Sequence, residues 1–136
     1  MFPSRITTDI TIYNKIESTE KWVFTQLKGV FFDEAKAQNV KVSGITSADA
    51  LNLIIPFAVQ TIGENKEYRE PKMFQENPQG AWTLQEGDCV VKELIEMEIV
   101  SPKDLKNNYD NVYTINIIDA KLFGSKRMWH WEVGAN

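Results

Sequence analysis

The end of the chain reads as an aromatic strand that runs almost to the C-terminus. The segment Gly124–Gly134 carries Trp129 and Trp131, which are separated by one residue. Because side chains alternate between the two faces of a strand, this segment predicts two opposite sets of residues. One face would carry Arg127, Trp129, Trp131 and Val133, and the other Met128, His130 and Glu132. Chain ends usually fray, so a strand at this position must be held in place. Two tryptophans on one face also require burial, either in the domain core or against a neighbouring subunit.

Length and composition predict a single globular domain over residues 1–136. The chain is 43% hydrophobic and 25% charged, and it is long enough to bury a sizeable core. Its N-terminal residues are too polar for a signal peptide, and no apolar run approaches the ~20 residues that span a bilayer. We therefore expect no membrane partner and synthesis in the cytoplasm. The net charge of -4 argues against a protein whose main task is to grip nucleic acid.

Runs of alternating and β-branched residues predict a series of short strands. They lie at residues 7–13, 21–32, 51–59, 81–93 around a turn at 86–88, and 111–120, followed by the terminal strand. The run at 51–59 is the most apolar and is predicted to form the centre of the core. Gly29 interrupts the second run, which indicates a bulge or a tight bend.

Two short helical segments are also predicted. Ser101 followed by Pro102 and an acidic residue at the third helical position is typical of a helix start, so residues 101–107 should form a short helix. Pro71–Glu76 could form one further helical turn within a surface excursion over residues 60–80. With no βαβ rhythm, the predicted fold class is all-β and mainly antiparallel, a small β-barrel or sandwich with a long hairpin loop.

The residues that most often carry enzymatic chemistry are sparse in this chain. His130 is the only histidine, and its position between two tryptophans favours a structural or interface role. Cys89, the only cysteine, is predicted to be a buried, inert thiol. Glu93, Glu96 and Glu98 are predicted to form a solvated edge. No phosphate-binding loop or metalloprotease or serine-hydrolase motif is present, so we predict no enzyme, no catalytic residue, no cofactor and no metal site.

The polar stretch from Asp33 to Asp49 is predicted to be a hairpin with a mobile tip. It contains Gly44 and several small hydroxyl residues, and such excursions can move while the strands that carry them stay rigid. A passive surface loop is the alternative interpretation.

Several segments together resemble a family of small virion proteins from tailed phages and prophages of Gram-positive bacteria. The resemblance spans nearly the whole chain and is carried by Thr8–Asn14, Lys28–Asp33, Ser47–Asp49 followed by Pro56-Phe57, Gly80–Asp88, Tyr109–Val112 and the terminal Gly124–Gly134. It implies a head-completion or head-tail connector protein, most similar to the stopper that sits below the portal and adaptor rings. Stoppers are small β-barrels, whereas adaptors tend to be helical.

The resemblance implies a location in the virion neck and a specific set of partners. These are further copies of the chain in a ring of six or twelve, a portal or adaptor ring above, a tail terminator or tail tube below, and transient non-specific contact with DNA in the channel. The hairpin tip would then be the channel gate, formed by Asn39, Val40, Lys41, Val42, Ser43, Gly44, Ile45 and Thr46. The predicted subunit interface consists of Arg127, Trp129, His130 and Trp131. Heterologous contacts between strand edges are suited to closing such a ring.

Two alternatives stay open at this point. Within the virion, the protein could be a tail terminator or another neck or tail subunit. In a different class, a β-barrel binding module could stack a carbohydrate or single-stranded nucleic acid on Trp129 and Trp131.

Overall fold

A computed structural model describes residues 7–35, 50–122 and 124–136. Within these ranges the strands are β1 (Thr7–Ile16), β2 (Lys21–Ala35), β3 (Ala50–Pro56), β4 (Gln60–Ile62), β5 (Glu67–Tyr68), β6 (Ala81–Trp82), β7 (Cys89–Val91), β8 (Val112–Lys121) and β9 (His130–Ala135). The helices are α1 (Pro71–Glu76) and α2 (Pro102–Asn108), and a 3-10 turn occupies Lys126–Met128.

The main sheet has the strand order β1-β7-β8-β9-β3-β2-β4, and β1 also pairs with β2. The pairing therefore returns to its starting strand, which gives a barrel-like circuit of six strands with the short β4 attached to β2. Every pairing in this sheet is antiparallel, whereas β5 and β6 pair in parallel apart from it. The predicted all-β, mainly antiparallel fold is confirmed.

The hairpin formed by β1 and β2 contains the bulge that Gly29 predicts. The register shifts between Thr8 and Ile10, so that Lys28 and Gly29 stand opposite the single residue Asp9. Gly29 has a φ of 75°, a conformation that glycine adopts at little cost, and its N–H donates to Asp9 Oδ1 at 2.9 Å. The bulge bends β2 where its second edge changes partner.

That second edge of β2 is divided among β3, β4 and an open stretch. Residues 31–35 pair with β3, and Gln26–Lys28 pair with β4. Within the part of the chain that the structure describes, no strand pairs with residues 21–25 on this side, although β1 covers them on the other. The start of β2 is therefore an open sheet edge.

The interior core fills the circuit of strands. It is built from residues that point inward at every second position, and these include Ile10, Ile12, Leu27, Leu53, Ile55, Val90, Ile115 and Val133. All of them are at most 1% exposed. The predicted buried strand at residues 51–59 contributes three of its side chains to this core, although the strand itself ends at Pro56.

A second core lies on the outer face of the same strands. Tyr13, Cys89 and Val91 point away from the interior and are covered by the segment of residues 92–110, which supplies Ile95, Ile99 and Leu105. We call residues 92–110 the cover. The first part of the cover has no regular secondary structure, and α2 forms its later part. The middle of β1 and the whole of β7 are thus buried on both faces, as expected for strands that are covered twice.

The two predicted helices and the two strands predicted within residues 81–93 all form. The helix after Ser101 forms as α2, where the Asp104 carboxylate accepts from the N–H groups of Ser101 at 3.2 Å and Val100 at 2.8 Å. The helical turn at Pro71–Glu76 is confirmed as α1. The two strands predicted within residues 81–93 both exist, but they do not pair with each other. The first pairs with β5 and the second with β1 and β8.

Candidate functional site

The terminal strand is shorter than predicted, and its two tryptophans have different environments. Lys126–Met128 form a 3-10 turn, so Arg127 lies outside the strand and the predicted face shared by Arg127, Trp129, Trp131 and Val133 does not form as a whole. A 3-10 turn does not keep the two-residue alternation of a strand, which is the physical reason for the difference. Arg127 is exposed, and Trp129 and His130 are half-buried.

Trp131 lies inside its own chain. It is 6% exposed, and its ring stacks on Phe57 with centroids 4.2 Å apart, contacts Tyr68 at 4.4 Å and meets Trp82 edge-on at 5.6 Å. Of the two forms of burial that the sequence allows, the domain core is the one realised for this residue. Trp129 instead meets the edge of Phe57 at 6.0 Å, so the two indole rings do not form one open platform.

His130 and Trp129 hold the start of β9 in place. The His130 Nδ1 atom lies 2.9 Å from the carbonyl of Met128, and its Nε2 atom lies 3.2 Å from Glu132 Oε2. The Trp129 carbonyl accepts from the N–H of Phe57 at 3.0 Å. These contacts are consistent with the structural role predicted for His130. The predicted roles of Arg127, Trp129 and His130 in a subunit interface stay predictions.

The predicted channel gate at residues 39–46 lies outside the described residues. The described chain reaches the two ends of this segment, because Ala35 at the end of β2 pairs with Ala50 at the start of β3. Residues 36–49 therefore connect two adjacent antiparallel strands, as the predicted hairpin requires.

A groove of about 660 Å³ lies over the outer face at the start of β2. We call this space the β2 groove. Trp22, Phe24, Ile62, Ile99 and Val100 provide apolar parts of its wall, and these residues come from three separate segments of the chain. Val100 is 86% exposed, the largest value among the exposed large hydrophobic residues of the described chain. The β2 groove therefore combines apolar side chains with the open edge of β2.

The charges along the β2 groove are mainly acidic. Glu20, Glu64, Glu96 and Glu98 line it together with two lysines, Lys21 and Lys66. The Lys66 ammonium group donates to the Phe24 carbonyl at 2.7 Å and lies 3.1 Å from Thr25 Oγ1, so it occupies one backbone acceptor of the open edge. Desolvation by burial lowers the pKa of Lys66 from its ordinary value.

A buried carboxylate, that of Asp88, lies outside the β2 groove. Asp88 is 3% exposed and accepts from Gln85 Nε2 at 2.6 Å, from Asn14 Nδ2 at 3.0 Å and from the N–H of Lys15 at 3.4 Å. Asn14 also donates to the carbonyl of Thr83 at 2.8 Å and accepts from its N–H at 3.1 Å. Burial raises the pKa of Asp88 to about 6, although the three donors oppose this shift.

The Asp88 network ties β1 to the turn before β7, and its partners are amides and backbone groups. Sequence reasoning missed it, because Asn14 and Asp88 are 74 positions apart and neither stands in a recognisable motif. Sequence reasoning also missed the β2 groove, which is assembled from the start of β2, the turn after β4 and the cover.

Glu96 and Glu98 were predicted to be solvated, and both are exposed. Cys89 is buried as predicted, and burial raises the pKa of its thiol to about 11.

Across the described ranges, no three or more His, Cys, Asp or Glu side chains are grouped so that they could hold a metal ion. Among the helices in the same ranges, none combines the length and the apolar character that crossing a bilayer requires.

The architecture and sites described above define a mainly antiparallel, barrel-like β domain with two cores and an acidic, partly apolar groove. The chain belongs to a family of unknown function, DUF6751, whose model matches residues 5–136. No curated protein and no solved structure matches the chain.

Proposed function

We propose that this protein is a structural component of the neck of a tailed phage, a head-completion or stopper subunit that assembles as a ring and gates the DNA channel. The proposal begins from the resemblance of the sequence segments to small virion proteins. The structural observation that supports it best is the pairing of Ala35 with Ala50. Because of this pairing, the chain between Ala35 and Ala50 connects two adjacent strands, as a hairpin gate requires.

A gate of this kind needs a rigid body and a loop that can take more than one position. The strand circuit with its interior core meets the first need, because packed cores resist continuous deformation. The composition of the loop meets the second, since Ser43, Gly44 and Thr46 are small and Gly44 allows unusual backbone angles. Rings of six or twelve copies, with the portal or adaptor above and the tail below, are part of the same proposal.

The binding-module alternative receives less support from the geometry. A stacking platform needs two accessible rings, whereas Trp131 is 6% exposed and packs against Phe57, Tyr68 and Trp82. A tail terminator remains the alternative within the virion, and its position along the neck distinguishes it from a stopper.

The first experiment is localisation of the protein by cryo-electron microscopy of intact virions from the phage or prophage that encodes it. We expect one ring of density between the portal and the tail tube, with the β2–β3 connection facing the channel. A ring at the top of the tail tube would favour the terminator. Absence of the protein from the particle would overturn the proposal.

A second experiment tests the gate. We expect deletion of Asn39–Gly44 to leave the fold intact but to let filled heads lose DNA, which can be measured as nuclease-sensitive DNA outside the particles. As a control in another exposed turn, Ser18→Ala with Thr19→Ala between β1 and β2 should leave DNA retention unchanged, because neither residue lines the β2 groove. Full retention and normal infectivity after the gate deletion would contradict the gating role.

A further inference from the structure

The β2 groove leaves apolar side chains and an open strand edge uncovered within the described ranges of one chain. Its wall contains Trp22, Phe24 and the highly exposed Val100, and β2 has no strand partner over residues 21–25 on that side within the described ranges. Exposed apolar surface next to an open strand edge is typical of a surface that another segment covers.

The charges around the β2 groove restrict what can cover it. Four carboxylates line it against two lysines, and the Lys66 ammonium group is already engaged by Phe24 and Thr25. A partner that brings basic and apolar side chains together complements both properties of the groove, and a partner that brings acidic ones would be repelled.

The chain itself carries such a surface next to the turn between β8 and β9. Leu122 and Met128 are 53% and 38% exposed, and Lys126 and Arg127 are exposed beside them. We call these four residues the basic face. None of them lines the β2 groove of its own chain. The pairing of Lys121 with His130 holds both ends of this turn at the β8–β9 pair.

We propose that the basic face of one copy of this chain docks into the β2 groove of the next copy. The leucine and methionine side chains would cover Trp22 and Val100, and the lysine and arginine would approach the carboxylates of Glu96 and Glu98. Two different surfaces meet in this contact, which is the heterologous arrangement that closes into a ring when the rotation between copies allows it. The inference rests on the proposed ring assembly and names the surfaces that form it.

The decisive experiment is a charge exchange in the chain of residues 1–136. The groove variant carries Glu96→Lys and Glu98→Lys, and the face variant carries Lys126→Glu and Arg127→Glu. Each variant alone would place like charges at the contact. In a mixture, the unchanged basic face of the groove variant meets the unchanged groove of the face variant, and the two reversed surfaces also complement each other.

Sedimentation velocity and concentration-dependent amide NMR shifts, both followed to millimolar concentration at low salt, provide the readout. We expect the wild-type chain to self-associate and its shifts to change at the β2 groove and the basic face. Each variant alone should associate at least about tenfold more weakly, and an equimolar mixture should recover the wild-type association. High salt should weaken all of these contacts, because the charges are exposed.

Matched controls separate the contact from the change in net charge. Glu86→Lys with Glu93→Lys, and Lys72→Glu with Lys103→Glu, make the same changes at exposed positions outside the β2 groove and the basic face, and they should associate like the wild type. If a charge reversal unfolds the chain, Glu96→Gln with Glu98→Gln is the second groove variant and should still weaken association.

Three results would overturn the inference. They are a wild-type chain that stays monomeric with unchanged amide shifts, variants that associate as well as the wild type, and a mixture that does not recover the wild-type association.

The outcome of this experiment can be distinguished from that of the virion experiment. A ring in virions without this contact would mean that other surfaces form the ring, and this contact without virion localisation would leave the assembly standing and remove the neck function.

Discussion

The interior core and the outer core are built on the same strands but are held in different ways. In the interior core, alternate side chains of paired strands face one another, so the backbone hydrogen bonds of the strand circuit fix its geometry. In the outer core, the first part of the cover has no strand or helix, and its position must be fixed by other contacts. The strand side chains that face outward provide them.

Three polar side chains of the strands bind the backbone of the cover. Thr11 Oγ1 donates to the carbonyl of Glu93 at 2.8 Å, and the Tyr13 hydroxyl donates to the carbonyl of Met97 at 2.6 Å. Gln26 Nε2 donates to the carbonyl of Ile95 at 2.9 Å. Because the first part of the cover has no strand partner, these donors supply hydrogen bonds to carbonyl groups that a strand ladder would otherwise pair. The same cover forms one wall of the β2 groove, so its placement also shapes the proposed contact.

The largest effect is expected in the interior core. Trp131→Ala should lower the free energy of unfolding by about 3–5 kcal/mol, because it removes a ring that packs against three other aromatic rings. Trp129→Ala, at the half-buried neighbour, is the matched control and should cost less. Guanidinium chloride unfolding followed by far-ultraviolet circular dichroism gives both values. Equal losses for the two variants would contradict the assignment of Trp131 to the core.

A smaller loss is expected in the outer core. Leu105→Ala should lower the free energy of unfolding by about 2–3 kcal/mol, because α2 lies at the surface and can shift to fill part of the cavity. Amide hydrogen exchange should then increase in the cover before it increases in β9. Lys106→Ala, on the exposed side of the same helix, serves as the control. Uniform loss of protection across both cores would show that they unfold as one unit.

The hydrogen bonds that hold the cover can be tested singly. Tyr13→Phe should lower the free energy of unfolding by about 1 kcal/mol, because it leaves the Met97 carbonyl without the hydroxyl donor. Tyr109→Phe removes the hydroxyl of another tyrosine packed on the same core and should cost less. Urea unfolding measures both changes. An unchanged midpoint for Tyr13→Phe would mean that apolar packing alone positions the cover.

The last effect concerns the Asp88 network, is no larger than that of Tyr13→Phe and depends on pH. Since burial raises the pKa of Asp88 to about 6 from its ordinary 3.8, the folded chain binds this proton more tightly than the unfolded chain does. The contribution of Asp88 to the free energy of unfolding should therefore rise by about 1 kcal/mol as the pH falls from 7 to 5, and it is lost as the pH rises through about 6.

Asp88→Asn provides the control for this pH dependence. The variant removes the titrating group, so the difference between its stability and that of the wild type should change with pH in the direction just given. Urea unfolding at pH 5, 6 and 7 measures this difference. A constant difference across the three pH values would show that the carboxylate titrates alike in the folded and unfolded chains.

The parts of the fold that depend on neighbouring residues could be predicted from the sequence. The bulge at Gly29, the capped start of α2 at Ser101 and the strand alternation of β1 are such features, because a few adjacent residues fix the backbone there. The alternation in β8 was predicted but changes face within the strand. The register shifts between Ile115 and Ile117, so Ile115 is buried and Ile117 is 62% exposed.

The candidate sites were much less predictable. The β2 groove joins residues from positions 20–26, 62–66 and 96–100, and no local pattern says that these segments meet. The Asp88 network depends in the same way on Asn14 and Thr83, which reach it only through the fold. The proposed gate at residues 39–46 remains a prediction from the resemblance and the composition of the loop.

The sequence by itself determined that the chain folds mainly as antiparallel strands, where β2 bends, and where α2 begins. The tertiary structure decided which side of each strand is interior, that Trp131 belongs to the core, and that a cover creates a second core over Tyr13. The physical reason is the range of the forces involved. Backbone propensity and capping act over a few residues, whereas burial depends on which distant surfaces meet, and β1 is buried on both faces although only one of them is strongly apolar.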